Sequence, residues 1–140
     1  MLRKEQHKKF RTDTLYYYVF CSIFTYMNKK FIDKWVSQLK KGSLSFVVLG
    51  ILAYDQEYYG YDLIQEVKKK TAIDIAEGTL YPLLIRLKNE GLVESNWVPQ
   101  ATGIPRKYYK ITKEGQSTFA AMRTYWTSLN QHITTLTHAL

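Results

Sequence analysis

The chain has little of what covalent, metal or catalytic sites are built from. Its single cysteine, Cys21, cannot form an intrachain disulfide, and nothing else in the sequence points to an oxidising compartment. The three histidines, His7, His132 and His138, lack the company of a metal site or a catalytic triad, and there is no glycine-rich phosphate loop. These absences argue against an enzyme. They predict no metal and no cofactor, and they favour a cytoplasmic setting.

The sequence also lacks an apolar run long enough to cross a bilayer. The run LYYYVFCSIFTYM (15–27) has thirteen residues, against the roughly 20 that a spanning helix needs, and no signal-peptide cleavage site follows it. One interpretation is that residues 1–26 lie upstream of the true start and that Met27 begins the working protein, because well-patterned sequence starts there. The alternative is a membrane-tethered or protein-interaction module that uses residues 15–27 as an anchor.

Acidic residues are in short supply relative to basic ones. Twenty Lys and Arg against twelve Asp and Glu give a net charge of +8, which favours polyanionic partners such as nucleic acid. The excess is uneven: residues 1–41 hold ten basic and three acidic side chains (+7), and residues 42–140 hold ten and nine (+1). The excess of basic residues therefore indicates either a nucleic-acid partner or a basic tail that helps solubility.

What is present is helical periodicity. Apolar residues recur at helical spacing in FIDKWVSQLKKGS, after which Gly42 is expected to interrupt the helix. Ser43 suits the N-cap of a second, core-facing helix, LSFVVLGILA. A polar and aromatic connection, YDQEYYGY, then leads to a short helix in DLIQEVKKKT, whose apolar stripe is Leu63, Ile64 and Val67.

The stretch GTLYPLLIRLKNEGLV (Gly78–Val93) predicts a helix with two distinct faces. One face is a leucine stripe (Leu80, Leu83, Leu84, Leu87), and the other carries Thr79, Pro82, Ile85, Arg86 and Asn89. With Thr79 as N-cap, Pro82 falls in the first turn, where its missing N–H costs nothing. Gly91 supplies the C-terminal stop.

Two β-prone runs and one long helix follow. LVESNWV and RKYYKIT, joined by PQATGIP, predict a β-hairpin whose second strand begins with Arg106 and Lys107. Thr112 suits the N-cap of the last helix. Apolar residues there repeat at alternating spacings of three and four: Phe119, Met122, Trp126, Leu129, Ile133, Leu136 and Leu140. This seam favours packing along another helix, with self-association preferred over an ordinary core helix.

Three helices followed by a hairpin predict a mainly α (α+β) fold, a winged helix-turn-helix with a C-terminal dimerisation helix. The motifs KKGSLSFVVLGILA, YYGYDLIQEV, GTLYPLLIRLKNEGLV, PRKYYKIT and KEG, in this order over about Lys40 to Gly115, resemble the PadR family of bacterial transcriptional regulators. The single C-terminal helix is similar to the short-tailed branch of that family. The expected division is residues 1–30 as an extension, 31–112 as the DNA-binding domain and 113–140 as the dimerisation helix.

The resemblance implies a ligand-responsive repressor that binds a two-fold symmetric operator in double-stranded DNA as a homodimer. It also implies sensing of multidrug-type or phenolic compounds, because a tryptophan at the place of Trp126 stacks flat ligands in related proteins. The expected DNA-binding residues are Tyr59, Tyr61, Thr79, Tyr81, Pro82, Arg86, Arg106, Lys107 and Lys40. The expected dimerisation residues are the seven of the seam, and the expected ligand-binding residues are Trp126, Met122, Leu129 and Trp97.

Overall fold

The computed structural model of the protein describes residues 28–54 and 57–138. The elements are α1 (28–52), β1 (Tyr58–Tyr59), α2 (Gly60–Thr71), α3 (Glu77–Asn89), β2 (Val93–Val98), β3 (Arg106–Ile111) and α4 (Lys113–His138). The boundary between two compact units falls after Lys41, and the contacts described below lie in the second unit. The expectations for residues 1–26, for Met27 as the start, for the 15–27 anchor and for Leu140 fall outside the described residues. The predicted fold class is confirmed, since within the described ranges four helices accompany a small antiparallel sheet.

Helix α1 does not stop where the sequence indicated. Gly42 and Ser43 lie inside it, so the predicted interruption is wrong. A glycine inside a helix costs only about 1 kcal/mol relative to alanine, and burial of the apolar residues that follow outweighs this. Those residues are Leu44, Val48, Leu49, Ile51 and Leu52, all buried.

The connection before α2 contains a strand that the sequence did not indicate. Tyr58 and Tyr59 form β1, which pairs antiparallel with β3 through Tyr58 opposite Tyr109 and Tyr59 opposite Tyr108. Strand β3 also pairs with β2, from Val93 opposite Ile111 to Val98 opposite Arg106. The sheet therefore has the order β1-β3-β2, with the predicted hairpin extended by one short strand.

Helix α3 begins earlier than predicted. Its first residue is Glu77 and its N-cap is Ala76, which makes no side-chain cap, so the assignment of Thr79 as N-cap is wrong. Pro82 consequently lies in the second turn rather than the first. Gly78 and Pro82 are both exposed, so the Gly78 carbonyl that loses its partner at Pro82 lies on the solvent side. The acidic side chain of Glu77 lies in the first turn of α3, where it interacts favourably with the positive end of the helix dipole.

The leucine stripe and the stop of α3 are as predicted. Leu80, Leu83, Leu84 and Leu87 are buried in the core formed with α1, α2 and the sheet. Gly91 has φ +74°, in the left-handed region that glycine tolerates best. Its amide donates to the Lys88 carbonyl at 2.9 Å, and the Leu92 amide donates to the Leu87 carbonyl at 2.9 Å, a Schellman termination.

A single threonine joins the end of α3 to the start of α4. The Thr112 hydroxyl donates to the Gly91 carbonyl at 2.7 Å and accepts from the Gly115 amide at 3.0 Å, which confirms Thr112 as the N-cap. The Thr112 amide also donates to the Leu92 carbonyl at 3.1 Å. Gly115 is buried so close to the Leu92 carbonyl that no side chain fits there.

Candidate nucleic-acid interface

The face of α3 opposite the leucine stripe is exposed. Thr79, Pro82, Ile85 and Arg86 all lie on it, as the sequence indicated, with Ile85 57% exposed. A helix that buries one stripe in the core and presents an outward polar face has the width to enter the major groove of B-DNA, about 12 Å across. This outward face of α3 is therefore the central part of the candidate interface.

Arg86 is held by two neighbours. Its Nη2 donates to the Ser45 hydroxyl of α1 at 2.8 Å, and its Nε lies 3.9 Å from the Glu90 carboxylate. The side chain remains 60% exposed, so donors of its guanidinium stay accessible. The arrangement orients a planar fork of donors along the edge of the candidate interface, the geometry that suits guanine or phosphate oxygens. Ser45 was not among the residues expected at the site.

Tyr81 is half-buried at the crossing of α2 and α3. Its ring lies against Gly60, where an added Cβ would be 2.7 Å from the ring and 2.8 Å from the hydroxyl oxygen. Burial, and secondarily electrostatic repulsion from Tyr59 and Glu77, raises the pKa of the Tyr81 hydroxyl. Gly60 thus lets the aromatic side chain of α3 approach the first residue of α2. Tyr61, the next residue, is 50% exposed.

The wing root, Arg106 and Lys107, is basic and rests on aromatic rings. The Arg106 guanidinium carbon lies 5.1 Å from the centre of the Tyr59 ring. The Lys107 ammonium lies 5.7 Å from the Trp97 ring and 5.7 Å from the Tyr109 ring. Arg106 is exposed, whereas Lys107 is partly buried. These contacts place two cations where β3 begins, at the end of the hairpin loop.

Two further residues of this region escaped the sequence analysis. Lys88, near the C-terminus of α3, donates to the Ser95 hydroxyl of β2 at 3.0 Å. This bond ties the helix to the wing on the exposed side. The sequence offered one signal for Lys88, its position two residues after Arg86. The hydrogen bond to Ser95 could not be predicted from spacing, because it depends on how the helix packs against the strand. Lys40 belongs to the first compact unit.

The seam of α4 divides into two parts. Phe119 and Met122 are partly buried against the core of their own chain. Beyond them the seam residues that the structure describes are exposed, with Trp126 42%, Leu129 38%, Ile133 48% and Leu136 69% exposed.

Trp126 and Trp97 lie on different elements with different neighbours. The Trp126 indole stacks on Phe46 with ring centres 5.4 Å apart, and Phe46 in turn stacks on Phe119 at 5.3 Å. Trp97 lies on β2, with Lys107 over its ring. An open groove of about 430 Å³ lies nearby, lined by Gly50, Ala53, Tyr54, Gln116, Phe119, Ala120 and Arg123, and by none of the four expected ligand residues.

Membrane-spanning helices and metal sites were both sought among the described residues. Across 28–54 and 57–138, no helix combines the length and apolarity needed to span a membrane. Over the same residues, no cluster of three or more His, Cys, Asp or Glu side chains has the arrangement of a metal site.

Comparison with known proteins identifies the family. The model of the transcriptional regulator PadR-like family matches residues 48–121. A PadR-like transcription factor from Bacteroides fragilis is 38% identical in sequence, with a TM-score of 0.62, covering 74% of this chain and 98% of that one. A PadR family regulator from Eggerthella lenta is 32% identical, with a TM-score of 0.68, covering 77% and 93%.

Two more relatives match a similar share of this chain. A PadR-like regulator from Bacillus cereus is 32% identical, with a TM-score of 0.64, and covers 71% of this chain and 95% of that one. An uncharacterized protein of Lysinibacillus sphaericus is 28% identical over 99 residues, 69% of this chain and 90% of its own length. Family members are transcription factors that bind DNA and are not enzymes. The matched segment runs from the core half of α1 through α3 and the β2–β3 hairpin into α4, and the chain belongs to the PadR-like family of transcriptional regulators.

Proposed function

We propose that this DNA-binding regulator is a dimeric, ligand-responsive repressor, cytoplasmic, that recognises a two-fold symmetric operator. The observation that carries the proposal is the pairing of the outward face of α3 with the wing root. The helix buries its leucines and presents Thr79, Pro82 and Arg86, while Arg106 and Lys107 stand where the hairpin loop ends. Major-groove reading by the helix and backbone contact by the wing follow from this layout.

Each predicted DNA contact has a distinct chemical task in this proposal. Arg86 reads a guanine edge or clamps a phosphate, while the hydroxyls of Thr79 and Tyr61 donate to phosphates and so fix register without reading sequence. Lys107 neutralises phosphate charge, which makes the affinity salt-dependent. The full proposed set also includes Tyr81, Pro82, Arg106 and Lys40, with Tyr59 beside Arg106.

The dimer rests on the uncovered part of the α4 seam. Four large apolar side chains in a row along one helix, each at least 38% exposed, are an unfavourable surface for a monomer in water. Pairing with the same row of a second copy buries them and satisfies the alternating spacing of three and four. Two α3 helices then face successive major grooves about 34 Å apart, which predicts an operator with two half-sites one turn apart.

The ligand proposal rests on Trp126. In one chain its indole has Phe46 on one face and is 42% exposed, so a flat aromatic guest has an apolar ring to stack on. Met122 and Leu129, one turn before and after on the seam, complete the proposed site, with Trp97 as a further member. A guest changes DNA binding only if it favours one dimer geometry over another.

The test is an electrophoretic mobility shift with DNA from upstream of the protein's own gene, at two salt concentrations and with a panel of planar cationic and phenolic compounds. The proposal expects a shifted complex that weakens with salt and is released by at least one compound. Compound binding is followed by quenching of tryptophan fluorescence, which Trp126→Phe should abolish while Trp97→Phe leaves part of it. Absence of a complex on any fragment would contradict operator binding.

A membrane-tethered or protein-interaction module, anchored by residues 15–27, is the alternative proposal. It rests on the composition of that run alone, which lies outside the described residues. Cell fractionation separates the two: a tethered protein sediments with membranes, and the proposed cytoplasmic repressor stays in the supernatant. A variant with Phe20 and Phe24 changed to serine releases the protein only if the run is the anchor.

A further inference from the structure

The cations of the wing root are held before any DNA is bound. Arg106 lies over Tyr59 at 5.1 Å, and Lys107 lies over both Trp97 and Tyr109 at 5.7 Å. Separations below about 6 Å from a ring centre are those of cation–π attraction. The two side chains therefore have defined positions, unlike arginines and lysines that extend into solvent.

The position of the Tyr59 ring is set by the backbone. Strand β1 pairs Tyr59 directly with Tyr108 of β3, and the two ring centres are 6.2 Å apart. Residues 106 and 108 of β3 point to the same face of the sheet, and directly paired residues on neighbouring strands share a face. Tyr59 is thus the diagonal neighbour of Arg106 across the strand pair, within reach of its guanidinium.

The Tyr59 side chain lies near that of Tyr81. After burial, electrostatic repulsion from Tyr59 is the next contribution that raises the pKa of Tyr81, so the two phenols lie within electrostatic reach of each other. Tyr59 itself is only partly exposed, whereas Arg106 is exposed. The contact that Tyr59 makes with the wing root is through the face of its ring.

We propose that Tyr59 is a positioning residue for Arg106: its ring holds the guanidinium at the wing root in the orientation that meets a DNA phosphate, and its hydroxyl makes no DNA contact. This inference rests on the proposed operator binding and changes the role of Tyr59 within it. A long side chain that is already immobilised loses less conformational entropy on binding, which is the gain that the ring provides. The two-residue strand β1 thereby acts as a support for the wing.

A double-mutant cycle tests the coupling. Affinity is measured by fluorescence anisotropy with a fluorescein-labelled duplex from upstream of the protein's own gene. Tyr59→Leu should weaken binding about 2- to 5-fold, the size of an exposed cation–π contact, and Tyr59→Phe should leave it unchanged. In an Arg106→Ala background Tyr59→Leu should cost nothing more. An equal loss in Tyr59→Phe, or an undiminished loss in the Arg106→Ala background, overturns the proposal.

A matched control uses a second tyrosine with a cation over its ring. Lys70 lies 5.7 Å from the Tyr54 ring, away from the wing, so Tyr54→Leu should leave DNA affinity unchanged. Circular dichroism checks that each variant folds. Tyr59→Val, which suits a strand, replaces Tyr59→Leu if the leucine variant melts below the assay temperature.

A readout without DNA separates this proposal from the proposed function. The Arg106 Hε resonance of the free protein should carry a ring-current shift in the wild type and in Tyr59→Phe, and lose it in Tyr59→Leu. Failure of the wild type to bind any duplex contradicts operator binding, while this shift still decides whether the ring holds the guanidinium. An Arg106 Hε that does not move in Tyr59→Leu overturns the positioning role.

Discussion

The guanidinium of Arg86 on α3 donates a 2.8 Å hydrogen bond to the hydroxyl of Ser45 on α1, 41 positions away in the sequence. The arginine proposed to contact DNA is therefore held by a helix that does not itself carry the outward face of α3. If Arg86 reads DNA as proposed, specificity at this position depends on two elements rather than one.

Arg86→Ala should weaken operator binding by about 1–3 kcal/mol, because one good bidentate base contact is worth that much. Ser45→Ala should cost less, about 0.5–1.5 kcal/mol, since it removes one hydrogen bond that orients the guanidinium. Anisotropy titrations measure both. Arg123→Ala, an exposed arginine on α4, is the control and should bind normally. Wild-type affinity in Arg86→Ala would remove this residue from the interface.

Gly115→Ala should destabilise the protein by several kcal/mol. The added Cβ would collide with the Leu92 carbonyl and lie 2.7 Å from Ile111, and a backbone carbonyl in the core cannot move aside. Gly78→Ala is the contrasting variant, because nothing lies within 4 Å of its Cβ and alanine favours the helix by about 1 kcal/mol. Thermal melts should show a lower midpoint for the first variant and an equal or higher one for the second.

Stability should fall as the pH rises above 10. Burial raises the pKa of the Tyr81 and Tyr109 hydroxyls above the value of 10.0 that holds in an unfolded chain. Between pH 10 and the raised pKa values, these two tyrosine hydroxyls ionise in the unfolded chain but stay neutral in the folded one. The unfolded state is therefore stabilised relative to the folded state. Tyr109→Phe removes one of these hydroxyls, so the free energy of unfolding should fall less between pH 9 and pH 11. Urea unfolding at pH 9 and pH 11 compares the two proteins, and parallel losses would contradict the assignment.

Ile133→Asp should prevent formation of the proposed dimer and leave monomers. Ile133 lies on the uncovered seam, 48% exposed, and a carboxylate there would be desolvated opposite its own copy. Thr134→Asp places the same charge one residue away, off the seam, and should remain dimeric. Light scattering at several protein concentrations gives the mass of each. A dimeric Ile133→Asp would show that the copies meet elsewhere.

Local patterns predicted those parts of the fold that local physics decides. The leucine stripe of α3, the stop at Gly91 and the cap at Thr112 each follow from a spacing or a residue type, and the structure confirms them. Helix boundaries were less predictable. Gly42 and Pro82 look like a break and a start, but burial of neighbouring apolar side chains keeps both inside helices.

Contacts across the fold could not be predicted from the sequence. Strand β1 exists because β3 offers its free edge to Tyr58 and Tyr59, and two residues carry too little pattern to indicate a strand. Ser45 and Arg86 meet only because α1 and α3 pack together, and Lys88 meets Ser95 for a similar reason. The sequence therefore indicated Arg86, Arg106 and Lys107, but not Lys88 or the two serines that accept hydrogen bonds from Arg86 and Lys88.

The joint at Thr112 has a mechanical consequence. One hydroxyl bonds to Gly91, just beyond the end of α3, and caps the first turn of α4, while Gly115 packs directly against the Leu92 carbonyl. Helix α4 extends about 39 Å from this point, at 1.5 Å for each of its 26 residues. We therefore expect a rotation of α4 about this joint to be passed to the end of α3, the helix that carries Arg86.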